Sequence, residues 1–283
     1  MSSDERRQDL MTRIRAEVNG FSGEFAFAAR NLSSGDEVAL DPNRVMPTAS
    51  TIKLCVLAEL YRAIDCRELD FERRIDLVPD DRRGGSGILK DLEPGLLPTV
   101  HDLATLMVAL SDNVATAALV RLLGADRIIR SARGWGMGST SAQFSVPEGG
   151  TATDYGASTP RDLIHLLSRI ATDAIISPEA CAAMRAILCT QQYTDQISRY
   201  LPYNPYARDR GDDQPVKVGS KSGFMAGIRV DAGIVWLPDS TYVIAVMTDG
   251  STDRTFAPEH EGMRLNGRVS RQIFDYWAPE SLR

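Results

Sequence analysis

Apolar residues recur at helical spacing from the start of the chain. Leu10, Ile14, Val18 and Phe21, with charges between them, predict an amphipathic helix ending near Asn19-Gly20. Two short strand-like runs follow, Glu24 to Arg30 and Glu37 to Asp41. Asn31 to Asp36, with Ser33-Ser34-Gly35, reads as their turn. From about Thr48 to Leu201 the pattern is mostly helical. Ile52 to Ile64 predicts one apolar-rich helix, and His101 to Leu123 another that is nearly all apolar after Leu103. Arg161 to Thr172 and Pro178 to Leu188 predict two more, and Pro160 suits a helix start, where its missing N–H is no loss. The tail changes character. Gly227 to Leu237 and Thr241 to Thr248 are rich in Val and Ile and predict a hairpin across Pro238-Asp239-Ser240. Glu259 to Trp277 returns to helix, with Val269, Ile273, Phe274 and Trp277 on one side.

This order predicts an α+β architecture. Strands from residues 1–41 and 214–283 form one antiparallel sheet flanked by the terminal helices. A large all-α domain, 42–213, is inserted, with an active site between the lobes. With 43% hydrophobic and 25% charged residues, the 283-residue chain has an ordinary globular composition. A net charge of −6 removes a chain-wide basic surface for nucleic acid. Three widely separated histidines (His101, His165, His260) and four cysteines without a Cys-x-x-Cys pair argue against a metal site. The cysteines read as buried thiols. No metal, nucleotide or flavin motif is present, so no cofactor is expected. No run approaches the roughly 18 apolar residues of a membrane span. Met1 to Asp9 lacks the apolar core of a signal peptide. A cytoplasmic protein is expected as the sequence stands, and a periplasmic or secreted one if a leader was removed. A monomer or weak homo-oligomer is expected, with a small-molecule partner.

Three short motifs carry chemistry. Ser50-Thr51-Ile52-Lys53 puts a hydroxyl and an amine one helical turn apart, at a helix start whose N–H groups are unpaired. Serine is a weak nucleophile and needs a base; a lysine desolvated by apolar neighbours can serve. Ser111-Asp112-Asn113 interrupts an apolar stretch, where buried polar groups require partners. Lys221-Ser222-Gly223 opens the C-terminal strand region, with a glycine that admits close backbone approach.

Together, in this order, the three motifs resemble those of class A β-lactamases and penicillin-binding proteins. Gly84-Gly85-Ser86-Gly87-Ile88-Leu89, Pro94-Gly95-Leu96, Thr99 to Ala104 and Ser158 to Leu163 extend the likeness over about residues 20 to 275. The resemblance implies that Ser50 is the acylated nucleophile and that Lys53 takes or relays its proton. It implies that Ser111 passes a proton to the leaving nitrogen and that Asn113 binds a substrate amide. Lys221 and Ser222 would hold the substrate carboxylate, supported by Arg229 on the next strand. The N–H groups of Ser50 and Phe224 would form an oxyanion hole.

One element departs from the family pattern. Class A enzymes carry Glu-x-x-Leu-Asn before Thr-Pro, and its Glu activates the deacylating water. Residues 140 to 155 contain no such element. Glu148, followed by two glycines, is the one Glu there, and Asp154 is a weaker candidate base. Acylation with stalled deacylation is therefore expected. The leading expectation is slow β-lactam hydrolysis; the alternatives are a D,D-peptidase or esterase, a biosynthetic transacylase, and a non-catalytic sensor acylated once.

Overall fold

The computed structural model describes residues 2–146, 148–212 and 214–282. Helix α1 (Ser3–Val18) begins on a capping box, in which the Ser2 hydroxyl accepts from the Glu5 N–H and the Glu5 carboxylate from the Ser2 N–H. Strands β1 (Glu24–Asn31) and β2 (Glu37–Leu40) form the first hairpin. Asn31 Oδ1 accepts from the N–H groups of Ser33 and Ser34 and so closes its turn. After β3 (Met46–Pro47) a 3-10 turn, Ala49–Ile52, leads into α2 (Lys53–Asp65). Then come α3 (Val100–Ala109), α4 (Asn113–Leu123), α5 (Ala125–Gly134), α6 (Ala152–Tyr155), β4 (Ala157–Ser158), α7 (Pro160–Ala171) and α8 (Pro178–Leu188). A short helix, α9 (Ala207–Arg210), precedes β5 (Lys217–Met225), β6 (Ile228–Trp236), β7 (Thr241–Asp249) and α10 (Glu261–Trp277). The segment Tyr203 to Asp213 reads as a plain loop in sequence; it carries α9, and Asp213 lies outside the described residues.

The five long strands make one antiparallel sheet in the order β2-β1-β7-β6-β5. β3 and β4 pair separately and tie residue 47 to residue 157. Side chains alternate between two cores, as the two-residue period of a strand requires. Phe25, Phe27, Ile244 and Val246 pack on one face with Leu10 and Ile14 of α1 and Val269, Ile273 and Phe274 of α10. Ala26, Ala28, Ala245 and Met247 pack on the other face with the helical residues of α2, α3, α4, α7 and α8. Both faces are covered, so β6 and β7 are buried along nearly their whole length rather than at alternate positions.

One predicted element is corrected. His101 to Leu123 is not a single helix: it breaks into α3 and α4 at Ser111, whose φ is +52°. Asp112 is the cause, because its carboxylate caps α4 by accepting from the Ala115 N–H at 2.9 Å. Helix α5 was not predicted; only Ile128, Ile129 and Ala132 of its ten residues are buried apolar positions. No helix among the described residues is long and apolar enough to cross a membrane.

Candidate active site

The site forms where the 3-10 turn meets the edge strand β5. Thr48 N–H donates to Gly156 O at 2.9 Å, fixing the entry to the turn. Ala49 then adopts φ +44°, a strained conformation for a residue with a Cβ, immediately before Ser50. Gly223 of β5 lies against the same backbone. A Cβ on it would stand 2.8 Å from Ser50 N and from Thr48 O. Thr51 Oγ1 donates to Lys221 O at 3.1 Å and locks the strand to the turn.

Lys53 follows Ser50 by one turn and is fully buried. Its Nζ contacts Ser111 O at 2.8 Å, Asn113 Oδ1 at 2.8 Å and Ser111 Oγ at 3.1 Å. Burial, with Lys221 nearby, holds this amine well below its ordinary range, although Asp112 opposes the effect. A neutral amine has two N–H groups and one lone pair. The two carbonyl oxygens can only accept, so they take the two N–H groups. As placed, Nζ donates to Ser111 Oγ as well; were the amine neutral, Ser111 Oγ would be the one contact able to donate to its lone pair. Lys53 and Ser111 thus share a direct side-chain contact.

Asp112 has a different task. Besides capping α4, its carboxylate accepts from Ile88 N–H at 2.7 Å and Leu89 N–H at 2.9 Å. Gly87, at φ +103°, leaves room for this carboxylate, since a Cβ there would lie 2.3 Å from it. Asn113 donates through Nδ2 to Gly84 O at 2.8 Å, and its own N–H reaches Ser86 O at 3.1 Å. The Gly-rich loop is thus pinned over the Ser-Asp-Asn turn.

On the sheet side, Lys221 is fully buried and donates to Ser222 O at 2.7 Å. Burial pushes its amine down to about 7, with Asp231 opposing; burial also pushes the Asp231 carboxyl up to about 7. Ser222 Oγ is buried and has no hydrogen-bond partner among the described residues. Arg229 is fully buried as well. Its guanidinium donates to the carbonyls of Met225, Ile228 and Thr255 and lies between the rings of Phe224 and Phe256.

A cavity of about 570 Å³ opens over these groups, lined by Ser50, Asn113, Phe224 and Met225 among others. Three further lining residues escaped the sequence reading: Tyr155, Tyr193 and Asp195. Tyr155 matters most. Burial pushes its phenol up to about 12, against the pull of a side-chain hydrogen bond with Ser50. Tyr193 packs edge-on against Phe224 at 5.3 Å. Burial raises the Asp195 carboxyl, and its Oδ1 is buried with no partner among the described residues. The clue to Tyr155 was its position just before Gly156 and the Ser-Thr-Pro run, but a tyrosine there has no motif.

Ser50, Asn113 and Phe224 therefore share one cavity, and buried Lys53 contacts both Asn113 and Ser111. Lys221, Ser222 and Arg229 are fully buried and do not line this cavity. Glu148 is not brought to the cavity: it is exposed in a turn. Asp154 is committed to capping α6, accepting from the Thr151 N–H at 2.7 Å. No three His, Cys, Asp or Glu side chains among the described residues converge to hold a metal ion.

A helical lobe inserted beside a five-stranded antiparallel sheet, with Ser-x-x-Lys at their junction, is the architecture of the serine β-lactamase and transpeptidase class. The chain belongs to the β-lactamase enzyme family, whose model matches residues 9–277. A β-lactamase from Sphaerobacter thermophilus is 28% identical, with a TM-score of 0.83 over 94% of this chain and 95% of that one. The structure of PBP-A is 25% identical, with a TM-score of 0.81 over 94% of this chain and 95% of that one. Among curated proteins, the β-lactamase regulatory protein BlaB of Streptomyces cacaoi is 24% identical, over 95% of this chain and 97% of that protein.

Proposed function

We propose that the protein is a serine acyl-enzyme hydrolase that opens β-lactams quickly and releases the product slowly. The observation that carries this reading is the buried Lys53, in contact with Ser111 and one turn from Ser50. In the proposed reaction the Ser50 hydroxyl turns from Tyr155 toward the amine. Its oxygen attacks the lactam carbonyl carbon, and its proton passes to neutral Lys53. The Ser50 and Phe224 N–H groups bind the oxyanion that forms. On collapse the C–N bond breaks, and Ser111 gives its proton to the leaving nitrogen and regains one from Lys53. Lys221 and Ser222 hold the substrate carboxylate, which would satisfy the unpartnered Ser222 hydroxyl. Arg229 braces Phe224 from behind, and Asn113 borders the acyl side.

Deacylation needs a base for water. Glu148 faces solvent, and a phenol held near 12 stays protonated at neutral pH, so Tyr155 cannot take a proton. Loss of a positioned base slows hydrolysis by about 10²–10⁴-fold. The same intermediate would serve a D,D-peptidase, an esterase or a transacylase. The regulatory relative supports a second reading, a sensor acylated once. The test is intact mass over time with a penicillin, beside Ser50→Ala. The expected result is a stoichiometric adduct that persists for many minutes and is absent in the variant. Fast penicillin loss without an adduct would identify a base not recognised above, and no adduct with no turnover would overturn the β-lactam reading.

A further inference from the structure

The path from α8 back to the sheet leaves one carboxyl of the cavity wall without a partner. Gln196 Nε2 donates to Val230 O at 3.1 Å, and the Ile197 N–H donates to Asp231 Oδ2 at 3.1 Å. These bonds tie the path to β6, at the two positions that pair with Gly223 and Ser222 of β5. Asp195, one residue earlier, lines the Ser50 cavity together with Tyr193, Phe224 and Phe256. Among the described residues, no other residue donates a hydrogen bond to its carboxyl.

Two guanidinium groups act on this carboxyl through space, and both are committed elsewhere. Arg199 donates to the Tyr200 hydroxyl, to Pro258 O and to the Glu259 carboxylate. Arg229 gives its terminal N–H groups to the carbonyls of Met225, Ile228 and Thr255, and its buried Nε has no partner among the described residues. A desolvated acceptor with no donor is costly, because burial removes water and nothing replaces it. An N–H group on a ligand removes that cost. The rings beside Asp195 narrow the choice. Ring faces attract cations, and Phe224 and Phe256 already flank one in Arg229. Tyr193, edge-on to Phe224, brings a further ring to the same corner. An ammonium suits a carboxyl set among rings better than a neutral amide, since a charge-assisted bond is about twice as strong.

Resting on the acyl-enzyme reading above, we propose that Asp195 binds a protonated amine on the donor, at the end that also carries the donor carboxylate. The strand register supports that placement. Ser222, assigned to the carboxylate, pairs with Asp231, and Asp231 holds the backbone two residues beyond Asp195. The donor is then zwitterionic at this end, with its carboxylate toward Lys221 and Ser222 and its ammonium toward Asp195. The ammonium separates two negative charges that would otherwise repel.

The test uses a carbapenem whose ring substituent beside the carboxylate carries a protonated amine, and the same compound N-acetylated. Acylation of the full chain is followed by intact mass at neutral pH. The amine should acylate about tenfold more efficiently than the acetylated compound, through half-saturation rather than limiting rate. In Asp195→Asn, which keeps the shape and removes the charge, the ratio should fall to about one. Asp195→Ala repeats the test should the first variant melt early. A wild-type ratio near one, or variants that keep the full ratio, overturns the proposal. Calorimetry on Ser50→Ala separates the subsite from the chemistry. A preference for the amine there, with no adduct on the wild-type protein, sinks the acyl-enzyme reading and leaves the subsite standing. Equal binding of the two compounds, or none, overturns the role given to Asp195.

Discussion

Gly223→Ala tests whether β5 and the nucleophile turn form one unit. The new Cβ would lie 2.8 Å from Ser50 N and Thr48 O and 3.0 Å from Ala49 Cβ. Two of these three are backbone atoms in a turn already strained at Ala49, so no flexible side chain can swing away. Ordinary contact begins near 3.4 Å, so strand and turn must part by about 0.6 Å. Overpacking of this kind destabilises by about 1–3 kcal/mol. The effect on chemistry should be larger in proportion. A displacement of ~1 Å between reacting groups costs about 10²-fold in rate, and losing one oxyanion donor costs about 10²–10³-fold. The variant should therefore acylate about 10²-fold more slowly while its melting temperature falls by only several degrees. The assay is penicillin acylation by intact mass at 25 °C, beside thermal melting. Ile170→Val, a truncation in the fully buried core, is the control for stability alone. It loses about 0.5–1.5 kcal/mol and should keep its acylation rate. A folded Gly223→Ala protein acylating within about threefold of wild type would refute the reasoning, because the gap would then have opened away from Ser50.

Tyr155→Phe removes a ground-state hydrogen bond of Ser50 worth about 0.5–1.5 kcal/mol, so acylation should rise about 2- to 12-fold with deacylation unchanged. A loss of acylation beyond tenfold would make the phenol part of the chemistry. Lys221 in the free protein loses its proton as pH passes about 7, so half-saturation for carboxylate-bearing donors should rise above that pH while their methyl esters show no such rise. The linkage sign follows: the unfolded chain keeps that proton to about 10.4, so Lys221 adds stability as pH rises from about 7 to 10. Denaturant melts of Lys221→Met should lose that rise; an unchanged pH profile would refute the shift. Asp112→Ala strips acceptors from Ile88, Leu89 and Ala115 at once and should cost about 3–5 kcal/mol, read by urea melting. A loss under 1 kcal/mol would mean water replaces the carboxylate.

The helices and strands that were legible are those whose burial is one-sided or whose ends are punctuated. Pro178 to Leu188 was read to the residue because Ser177 caps it and Pro178 starts it. The α3–α4 break was legible only as chemistry: Ser111-Asp112-Asn113 looked like a polar interruption, but the left-handed Ser111 depends on a carboxylate that bonds residues 23 and 24 positions away. Ser50, Lys53 and Ser111 could be singled out because they lie in short motifs whose hydroxyl and amine spacing is fixed by sequence. Tyr155 and Asp195 could not, because they meet Ser50 only through the β3–β4 pairing and the path from α8 back to the sheet. Arg229, read from the resemblance as a support for carboxylate binding, is fully buried with its guanidinium 5.7 Å from the Phe224 ring centre.

The chemistry turns on which groups beside Ser50 can accept a proton after the acyl-enzyme forms. In the reaction proposed above, Lys53 and Ser111 complete their exchange when the amine leaves, which returns both to their starting states. Besides Lys53, which is engaged with Ser111 and Asn113, the cavity holds Tyr155, protonated up to about 12, and Asp195, whose carboxyl is raised by burial. Neither is a ready base opposite the leaving group. The difference between trapping and hydrolysing is then about 3–5 kcal/mol on a single step. That is small enough for one side chain to supply. On the proposed reading the side chain hydrogen-bonded to Ser50 is a phenol, which favours capture over turnover.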